Sequence, residues 1–275
     1  GDASLLAPAP QELQRLTGIP VVGVVPWLAH ALPDEDGIAA PAGPAPAGAP
    51  RIAIVRYPAA SNLDEFKALE ASAELVWAST PQQLEGAELV ILPGSKSVGA
   101  DLAWLRANSF DRAIAVRIAR NERVIAICGG LQMLGTAIID PGGLEGGDCQ
   151  GLGLLPLITK LDPDKQVGQV HSRFAELPQP WEALCGLDAD GYEIRHGATE
   201  AADELDAALP DGLGWVSGPL LALYLHGSFE NAAVTRAITG VESAAGSGID
   251  AAIDDLAAKT APHLDLDAIT ALVAP

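Results

Sequence analysis

The chain has 275 residues, of which 49% are hydrophobic and 4% aromatic, so it is long enough for one large domain or for a domain with part of a second. Its 36 acidic residues outnumber the 16 Lys and Arg residues, and the formal net charge is -20. A surface this negative repels phosphate backbones and anionic lipid head groups, which argues against nucleic acid and membrane partners.

The first 37 residues have the pattern of the end of an α/β unit. A short helix is predicted at residues 11–16, closed by Gly18, and the apolar run at residues 20–26 predicts a strand buried on both faces. Residues 38–50 are almost entirely Ala, Pro and Gly, a composition typical of a linker. We therefore expect a domain boundary there, with a second domain over residues 51–275. Because residue 1 is Gly and the only methionine is Met133, we also expect the chain to be a piece of a longer protein.

From residue 51 onward, apolar runs alternate with helical patterns. Strands are predicted at residues 52–55, 73–77, 89–92 and 124–127, and helices at residues 62–71, 98–106, 110–121 and from residue 131. Residues 150–230 have shorter strand candidates and more turns, with strands indicated around Ile194 and at residues 215–216 and 220–225. An amphipathic helix is predicted from residue 249. The alternation predicts an α/β fold with a mostly parallel sheet flanked by helices.

The clearest chemical pattern is the sequence AICGGLQ around Cys128. An apolar strand leads directly into Cys128, two glycines follow, and a helix begins. This is the arrangement of a nucleophile elbow, in which small neighbours permit a sharp turn. The helix N-terminus favours the thiolate, and the Gly129 N–H is placed to stabilise an oxyanion. A cysteine at a strand end can also be only a small buried residue, but the surrounding pattern favours a nucleophile.

A thiolate nucleophile requires a base, and His226 is the first candidate. It follows the apolar run LLALYL, so we expect it at a strand end, where enzymes with parallel sheets place catalytic groups. A histidine in a surface turn is the alternative interpretation. His196 ranks second, because its flanking residues have the pattern of a loop.

The segment LPGSKS follows the strand predicted at residues 89–92. Gly94 in this segment can direct its N–H towards a neighbouring strand end and supply a second oxyanion donor. An ordinary turn between a strand and a helix has the same pattern, and the residues alone do not decide between the two.

The three cysteines, Cys128, Cys149 and Cys185, are an odd number without close pairing. This is a poor disulfide framework, and no CxxC pair or His-rich cluster indicates a metal site. A cytoplasmic location is therefore expected. No apolar run approaches the roughly 20 residues that span a bilayer, and no signal peptide is expected.

Several segments together resemble the glutaminase domain of the cobyric acid synthase family of amidating ligases. They are PGSKSVGADLAWLR, CGGLQMLGTAIIDPGGLEG, GLGLLPLITKLDPDK, GYEIRHG, YLHGSFEN and, at residues 61–66, SNLDEF. The segments GDASLL and TGIPVVGVVPWL resemble the end of that family's ATP-binding synthetase domain. The resemblance covers nearly the whole chain. It implies a class I glutamine amidotransferase-like (flavodoxin-like) domain over residues 51–275 and a remnant of the synthetase domain over residues 1–37.

The resemblance also implies a chemistry. Glutamine would be hydrolysed through a thioester on Cys128 with His226 as the proton carrier. The oxyanion would be held by Gly94 and Gly129, and Gln132 would position the glutamine. The ammonia would pass to the upstream synthetase domain, where ATP and Mg would activate the corrinoid acceptor. That acceptor is adenosylcobyrinic acid a,c-diamide, amidated at its b, d, e and g carboxylates in cobalamin biosynthesis. No cofactor and no metal are expected in this chain.

The sequence departs from the family pattern in three places. Triad glutaminases usually carry a Glu two residues after the His, but Ser228 stands there, and Glu230 and Glu193 are the remaining candidates for a third member. Residues 222–224 read Ala-Leu-Tyr where the family often has Gly-Thr-Tyr. No phosphate loop of the pattern GxxxxGK[ST] occurs, so the ATP site is expected in upstream sequence.

Other interpretations remain open from the sequence. Lys165 matches a lysine of the family pattern, but a solvated surface lysine fits equally well. The chain could instead be the glutaminase of a related ligase, either cobyrinic acid a,c-diamide synthase or the enzyme that amidates lipid II. It could also be a non-catalytic docking module. The segments DLAWLR and DPGGLEG argue against the related ligases, and the presence of both Cys128 and His226 argues against a docking module.

Overall fold

The computed structural model describes residues 6–28, 45–242 and 249–273. Contacts divide the chain into two compact units, residues 1–32 with 246–275 and residues 33–245. This division differs from the expected one at the C-terminal end, where residues 246–275 group with the N-terminal segment. Of the expected linker, residues 38–44 lie outside the described residues.

The helices and strands are numbered here in chain order. The α-helices are α1 (Ala9–Thr17), α2 (Lys67–Glu70), α3 (Val98–Ala107), α4 (Phe110–Ala119), α5 (Gly129–Leu134), α6 (Ala232–Thr239), α7 (Ile249–Thr260) and α8 (Leu266–Val273). The strands are β1 (Arg51–Val55), β2 (Ala60–Ser61), β3 (Glu74–Ala78), β4 (Leu89–Leu92), β5 (Gly94–Ser95), β6 (Arg123–Ile127), β7 (Ala137–Ile139), β8 (Cys149–Gln150), β9 (Leu157–Arg173), β10 (Asp188–Ala201), β11 (Asp206–Leu209), β12 (Gly214–Ser217) and β13 (Leu220–Leu223). None of the described helices is long and apolar enough to cross a lipid bilayer.

In the smaller unit, α1 ends at Gly18, which has the left-handed conformation (φ 70°) typical of a helix end. The helix and its glycine stop are therefore as predicted. The strand predicted at residues 20–26 is wrong. In the described part of that segment only Gly23 pairs, in an isolated bridge with Leu264. A buried strand needs neighbours on both sides to satisfy its backbone groups, and the described residues of this unit form no sheet that could supply them.

The larger unit is built on a seven-stranded sheet in the order β11-β12-β13-β6-β4-β1-β3. The strands from β13 to β3 are parallel to one another, whereas β11 pairs antiparallel with β12 and β12 pairs antiparallel with β13. Strands β1, β4 and β6 are almost wholly buried, which explains why their sequences are continuous apolar runs. The predicted mostly parallel α/β sheet is confirmed.

A second sheet has the order β10-β9-β7-β8. Its long strands β9 and β10 pair antiparallel, with a register shift between His196 and Ala198. The strands expected around Ile194 and at residues 215–216 and 220–225 correspond to β10, β12 and β13, but the length of β9 and β10 was not predicted. The middle of β9 is exposed and polar, and it is held in a strand by its hydrogen-bonded partner rather than by a buried face, so its sequence lacks the apolar pattern of a strand.

Candidate active site

Three neighbouring parallel strands bring the predicted site residues together. Leu92 of β4 lies beside Ala126 of β6, and Ala126 lies beside Ala222 of β13. The carboxyl ends of parallel strands meet at one edge of a sheet, which is where α/β enzymes bind their ligands. Cys128 follows β6 and His226 follows β13 at this edge.

Cys128 occupies a sharp turn between β6 and α5. Its backbone has φ 51° and ψ -107°, a conformation that side chains rarely adopt and that is characteristic of a strained functional turn. Its N–H donates to Leu223 O at 2.8 Å, which fixes the turn to the neighbouring strand β13. The half-buried thiol therefore has the backbone geometry that the sequence predicts for a nucleophile elbow.

The two glycines after Cys128 allow α5 to pack closely against the segment that follows β4. A methyl group added to Gly130 would lie 2.4 Å from Leu92 O, and one added to Gly129 would lie 2.7 Å from the backbone nitrogen of Ser95. No side chain fits at either distance. The glycines are thus required by the approach of two backbones, as well as by the turn itself.

His226 is buried and bound to a carboxylate. Its Nδ1 lies 3.0 Å from Glu65 Oε1, and the Gly227 N–H donates to Glu65 Oε2 at 3.1 Å. The side chains of His226 and Glu65 are only 1% and 2% exposed. One carboxylate therefore orients both the imidazole and the backbone of the residue that follows it.

Tyr192 holds the other side of the histidine. Its ring stacks on the imidazole with 5.3 Å between the ring centroids, and the two residues exchange backbone hydrogen bonds. The Tyr192 hydroxyl accepts a hydrogen bond from Asn62 Nδ2 at 2.8 Å. The imidazole is thus held in place from its edge and from its face.

The second ring nitrogen of His226 does not contact Glu65. Nε2 is buried and has no nitrogen or oxygen partner within the described part of the chain. Burial lowers the pKa of His226, but hydrogen bonding to Cys128 and to Glu65, together with their negative charge, raises it overall to about 10. Since Nδ1 is bound to Glu65, we assign the interaction with Cys128 to Nε2. The thiol also donates to Ile194 O at 3.4 Å.

The carboxylate beside His226 is Glu65, and neither of the two expected candidates, Glu230 and Glu193, is bound to the imidazole. Glu230 is exposed on a 3-10 turn, and Glu193 is paired with Arg195 at 3.0 Å. Glu65 lies 161 residues before His226, so no local spacing could reveal it. The only signal for Glu65 in the sequence is the resemblance of the segment SNLDEF to the family.

His196, the second candidate for the base, has different surroundings from His226. It lies on β10 rather than on a loop, it is half-buried, and its Nδ1 is 3.1 Å from Asp162 O. Lys165 pairs with His196 across β9 and β10. It lines a cavity of about 560 Å³ together with Lys160. A binding role for Lys165 stays a prediction.

Gln132 lies in the core behind the nucleophile. It is 4% exposed, and its Nε2 donates to the Tyr224 hydroxyl at 3.2 Å. The Arg195 guanidinium covers the other side of Tyr224, 4.3 Å from the ring centroid. Gln132 is therefore one turn from Cys128 on α5 and fixed in place, and its predicted contact with glutamine stays a prediction.

The short ladder between β2 and β5 determines which N–H groups of the PGSK segment face the nucleophile. The ladder pairs residues 60–61 with residues 95–94, and just beyond it Lys96 N donates to Ala59 O at 2.8 Å. Hydrogen-bonded and non-hydrogen-bonded pairs alternate in an antiparallel ladder, so the N–H of Gly94 points towards β2. The N–H of Ser95 points to the opposite side, where Gly129 lies. Ser95 rather than Gly94 thus presents its N–H to α5.

Two further observations concern metals and thiols. Among the described residues, no group of three or more His, Cys, Asp or Glu side chains could hold a metal ion. All three cysteines are free thiols. The site itself contains the Cys128 thiol, the His226 imidazole, the Glu65 carboxylate and backbone N–H groups.

Comparisons with known proteins place this geometry in context. A family model described as a CobB/CobQ-like glutamine amidotransferase domain matches residues 51–234. Cobyric acid synthase from Variovorax paradoxus is 46% identical over 284 residues, and cobyric acid synthase from Paracidovorax citrulli is 48% identical over 275 residues. The alignments cover 100% and 94% of this chain but only 58% and 55% of these relatives, so the chain spans little more than half their length.

The fold is also found among solved structures. PurLQS from Thermotoga maritima has a TM-score of 0.54 and 17% sequence identity, covering 76% of this chain and 99% of that chain. At this identity the similarity concerns the fold alone.

Proposed function

The chain belongs to the family of CobB/CobQ-like glutamine amidotransferase domains, and on that basis we propose that it hydrolyses glutamine to glutamate and ammonia with Cys128 as the nucleophile. The observation that carries this proposal is the placement of the Cys128 thiol, at a strained turn, against the buried pair of His226 and Glu65. A cysteine beside an imidazole that a third group orients is the general arrangement of an activated thiol.

The reaction begins with transfer of the Cys128 thiol proton to His226. The raised pKa of the imidazole, about 10, favours its acceptance of that proton. The thiolate attacks the carboxamide carbon of glutamine. The N–H groups of Gly129 and Ser95 stabilise the resulting oxyanion, a contact made fully only in the transition state.

His226 then returns the proton. The C–N bond breaks as Nε2 protonates the leaving nitrogen, and ammonia departs from a thioester on Cys128. A water molecule, deprotonated by the same nitrogen, attacks the thioester carbonyl and releases glutamate. Glu65 touches no reacting atom. It acts through His226 by fixing the tautomer with Nδ1–H and by stabilising the imidazolium, so it is a positioning residue.

The ammonia would be used by a part of the ligase outside this chain. The relatives that share 46% and 48% identity are named cobyric acid synthase. We assign the chain to the glutaminase part of such a ligase, which would supply ammonia for amidation of the b, d, e and g carboxylates of adenosylcobyrinic acid a,c-diamide. ATP and Mg would be bound by the synthetase part of the ligase. The free thiols suit a reducing cytoplasm.

The first test is release of glutamate and ammonia from glutamine by this chain, alone and with the upstream region of the relatives. Cys128→Ala is expected to abolish hydrolysis, because no other nucleophile lies at the elbow. Cys149→Ala is the matched control, since this half-buried thiol lies away from the turn, and it should keep full activity. Loss of activity in both variants, or in neither, would contradict the assignment, and a wild type inactive even with the upstream region would favour a docking module.

The acceptor requires a separate test in the full-length ligase. With ATP, Mg and glutamine, the protein is offered adenosylcobyrinic acid a,c-diamide, cobyrinic acid or lipid II, and the amidated products are counted by mass spectrometry. Four added amides on the first acceptor are expected. Amidation of either of the other two would assign the chain to a related ligase and leave the glutaminase chemistry intact.

A further inference from the structure

Two segments with roles in the proposed reaction lie side by side in the ladder of β2 and β5. Strand β2 leads within four residues into Glu65, which binds His226. Strand β5 contains Ser95, whose N–H faces α5. A shift of β5 relative to β2 would move the oxyanion donor away from the thiol while leaving the histidine and its carboxylate in place.

A single carboxylate, Asp101 of α3, holds both strands. Its Oδ1 accepts a hydrogen bond from the Ala59 N–H at 3.0 Å, next to β2. Its Oδ2 accepts one from the Ser95 hydroxyl at 2.6 Å. The same hydroxyl oxygen accepts a hydrogen bond from the Ser97 N–H at 3.0 Å, so the position of Ser95 is fixed from two sides.

A carboxylate is unusual at the position of Asp101, because this residue is only 1% exposed and burial desolvates the charge. Burial raises the pKa of Asp101, and the hydrogen bonds from Ser95 and Ala59 offset only part of that effect. An apolar side chain of similar size would fill the same space without desolvating a charge. What the carboxylate adds is the link between the two strands.

We propose that Asp101 is a positioning residue for glutamine hydrolysis, which holds the Ser95 N–H at the oxyanion by clamping β5 to β2. This rests on the proposed function, since it names a further residue of the same site. Asp101 acts through the Ser95 hydroxyl and touches neither the thiol nor the substrate. Its removal therefore affects the step in which the oxyanion forms, and leaves formation of the thiolate unchanged.

The experiment measures two reactions of the same thiol in the same chain. Glutamine hydrolysis requires the oxyanion donor, whereas alkylation of Cys128 by iodoacetamide requires only the thiolate. Asp101→Asn keeps the volume but offers one acceptor where two are needed. We expect kcat to fall about 10- to 100-fold, with KM within about threefold, since displacing one donor costs up to about 10³ in kcat. The alkylation rate should stay within about twofold of the wild type.

Ser95→Ala supplies a second, independent test. It removes the hydroxyl that Asp101 binds and keeps the backbone N–H, so it should lower kcat to a similar extent. If Asp101 acts through this hydroxyl, the double variant is no worse than either single variant. Asp206→Asn, an exposed carboxylate on β11, is the matched control and should behave as wild type in both reactions.

Each contrary outcome has a distinct meaning. An unchanged kcat in Asp101→Asn and Ser95→Ala overturns the inference and leaves the proposed function standing. Multiplicative losses in the double variant, or a parallel loss of alkylation and thermal stability, show that Asp101 supports the fold in general, which also overturns it. Absence of hydrolysis in a wild type that is alkylated normally removes the proposed function and this inference with it.

Discussion

At the scale of single residues, the backbone of Cys128 is the most informative feature. A non-glycine residue at φ 51° and ψ -107° costs roughly 1–3 kcal/mol and persists only where the surrounding structure imposes it. Two contacts hold Cys128 in this conformation: the hydrogen bond from its N–H to Leu223 O and the close packing of Gly130 on β4. The strained turn presents the thiol at the edge of the sheet. The folded state is therefore less stable by this amount at the place where the reaction is expected.

This strain leads to a prediction about two inactive variants. Cys128→Gly should have a free energy of unfolding about 1 kcal/mol higher than Cys128→Ala, because glycine adopts the left-handed region without strain. This figure already allows for the greater entropy of glycine in the unfolded chain, which offsets about 0.5–1 kcal/mol of the roughly 1–3 kcal/mol of strain. Urea denaturation of the two variants measures the difference, and equal stabilities would mean that the turn is unstrained.

The pair of His226 and Glu65 determines a pH dependence of stability. The folded pKa of His226 is about 10 and its ordinary value is 6.5, so the histidine is stabilised in its charged form. A raised histidine pKa contributes stability that is fully present below about 6.5 and is lost as the pH rises through about 10. The free energy of unfolding of the wild type is therefore expected to decline between these two values.

Glu65→Gln should remove much of this decline. The amide keeps the shape but loses the charge that favours imidazolium, so the variant should be about 2–3 kcal/mol less stable at pH 7 and its stability should vary less from pH 6.5 to 10. Denaturation at a series of pH values measures both effects. Glu193→Gln, whose carboxylate pairs with Arg195 instead, is the control. A Glu65→Gln profile identical to the wild type would show that Glu65 does not set the charge of His226.

At the scale of elements, the contact between α5 and β4 decides how the nucleophile is presented. Alanine normally stabilises a helix by about 1 kcal/mol relative to glycine, but a methyl group on Gly130 would lie 2.4 Å from Leu92 O. Forcing the two elements apart costs typically 1–3 kcal/mol and moves Cys128. The packing cost outweighs the helix propensity.

Gly130→Ala is accordingly expected to lower the free energy of unfolding by about 2 kcal/mol and to impair glutamine hydrolysis. Gly168→Ala is the matched control, because a methyl group there would have no atom within 4 Å, and it should change stability by no more than about 0.5 kcal/mol. Thermal and urea denaturation of both variants measure the contrast. A stabilised Gly130→Ala would mean that α5 can move away from β4 without strain.

The elements themselves were predictable where burial gives them a pattern. The buried strands β1, β4 and β6 and the helices α3 and α4 were found from continuous apolar runs and helical periodicity. The long strand β9 was missed and β10 was predicted only around Ile194, because the middle parts of these strands are defined by pairing with each other. The segment at residues 20–26 was mistaken for a strand, since an apolar run does not reveal whether it has neighbours.

At the scale of the whole molecule, sheet order assembles the site. Strands β4, β6 and β13 are neighbours in the sheet, although β4 begins at Leu89 and β13 begins 131 positions later, at Leu220. Their shared edge receives Ser95, Cys128 and His226. Glu65 arrives from outside the seven-stranded sheet, through β2 and the 3-10 turn Leu63–Phe66. The site is thus formed by four segments that only the fold brings within contact.

The sequence by itself determined the fold class, the elbow at Cys128 and the candidacy of His226, because each is written in residues that are neighbours in the chain. A strand, a cysteine, two glycines and a helix suffice to specify a local turn. Only the tertiary structure decided that Glu65 orients His226, that Ser95 rather than Gly94 faces α5, and that Asp101 clamps two strands. These depend on ladder register and on contacts between distant segments, which are fixed by the packing of the whole sheet and leave no periodic signal in the sequence.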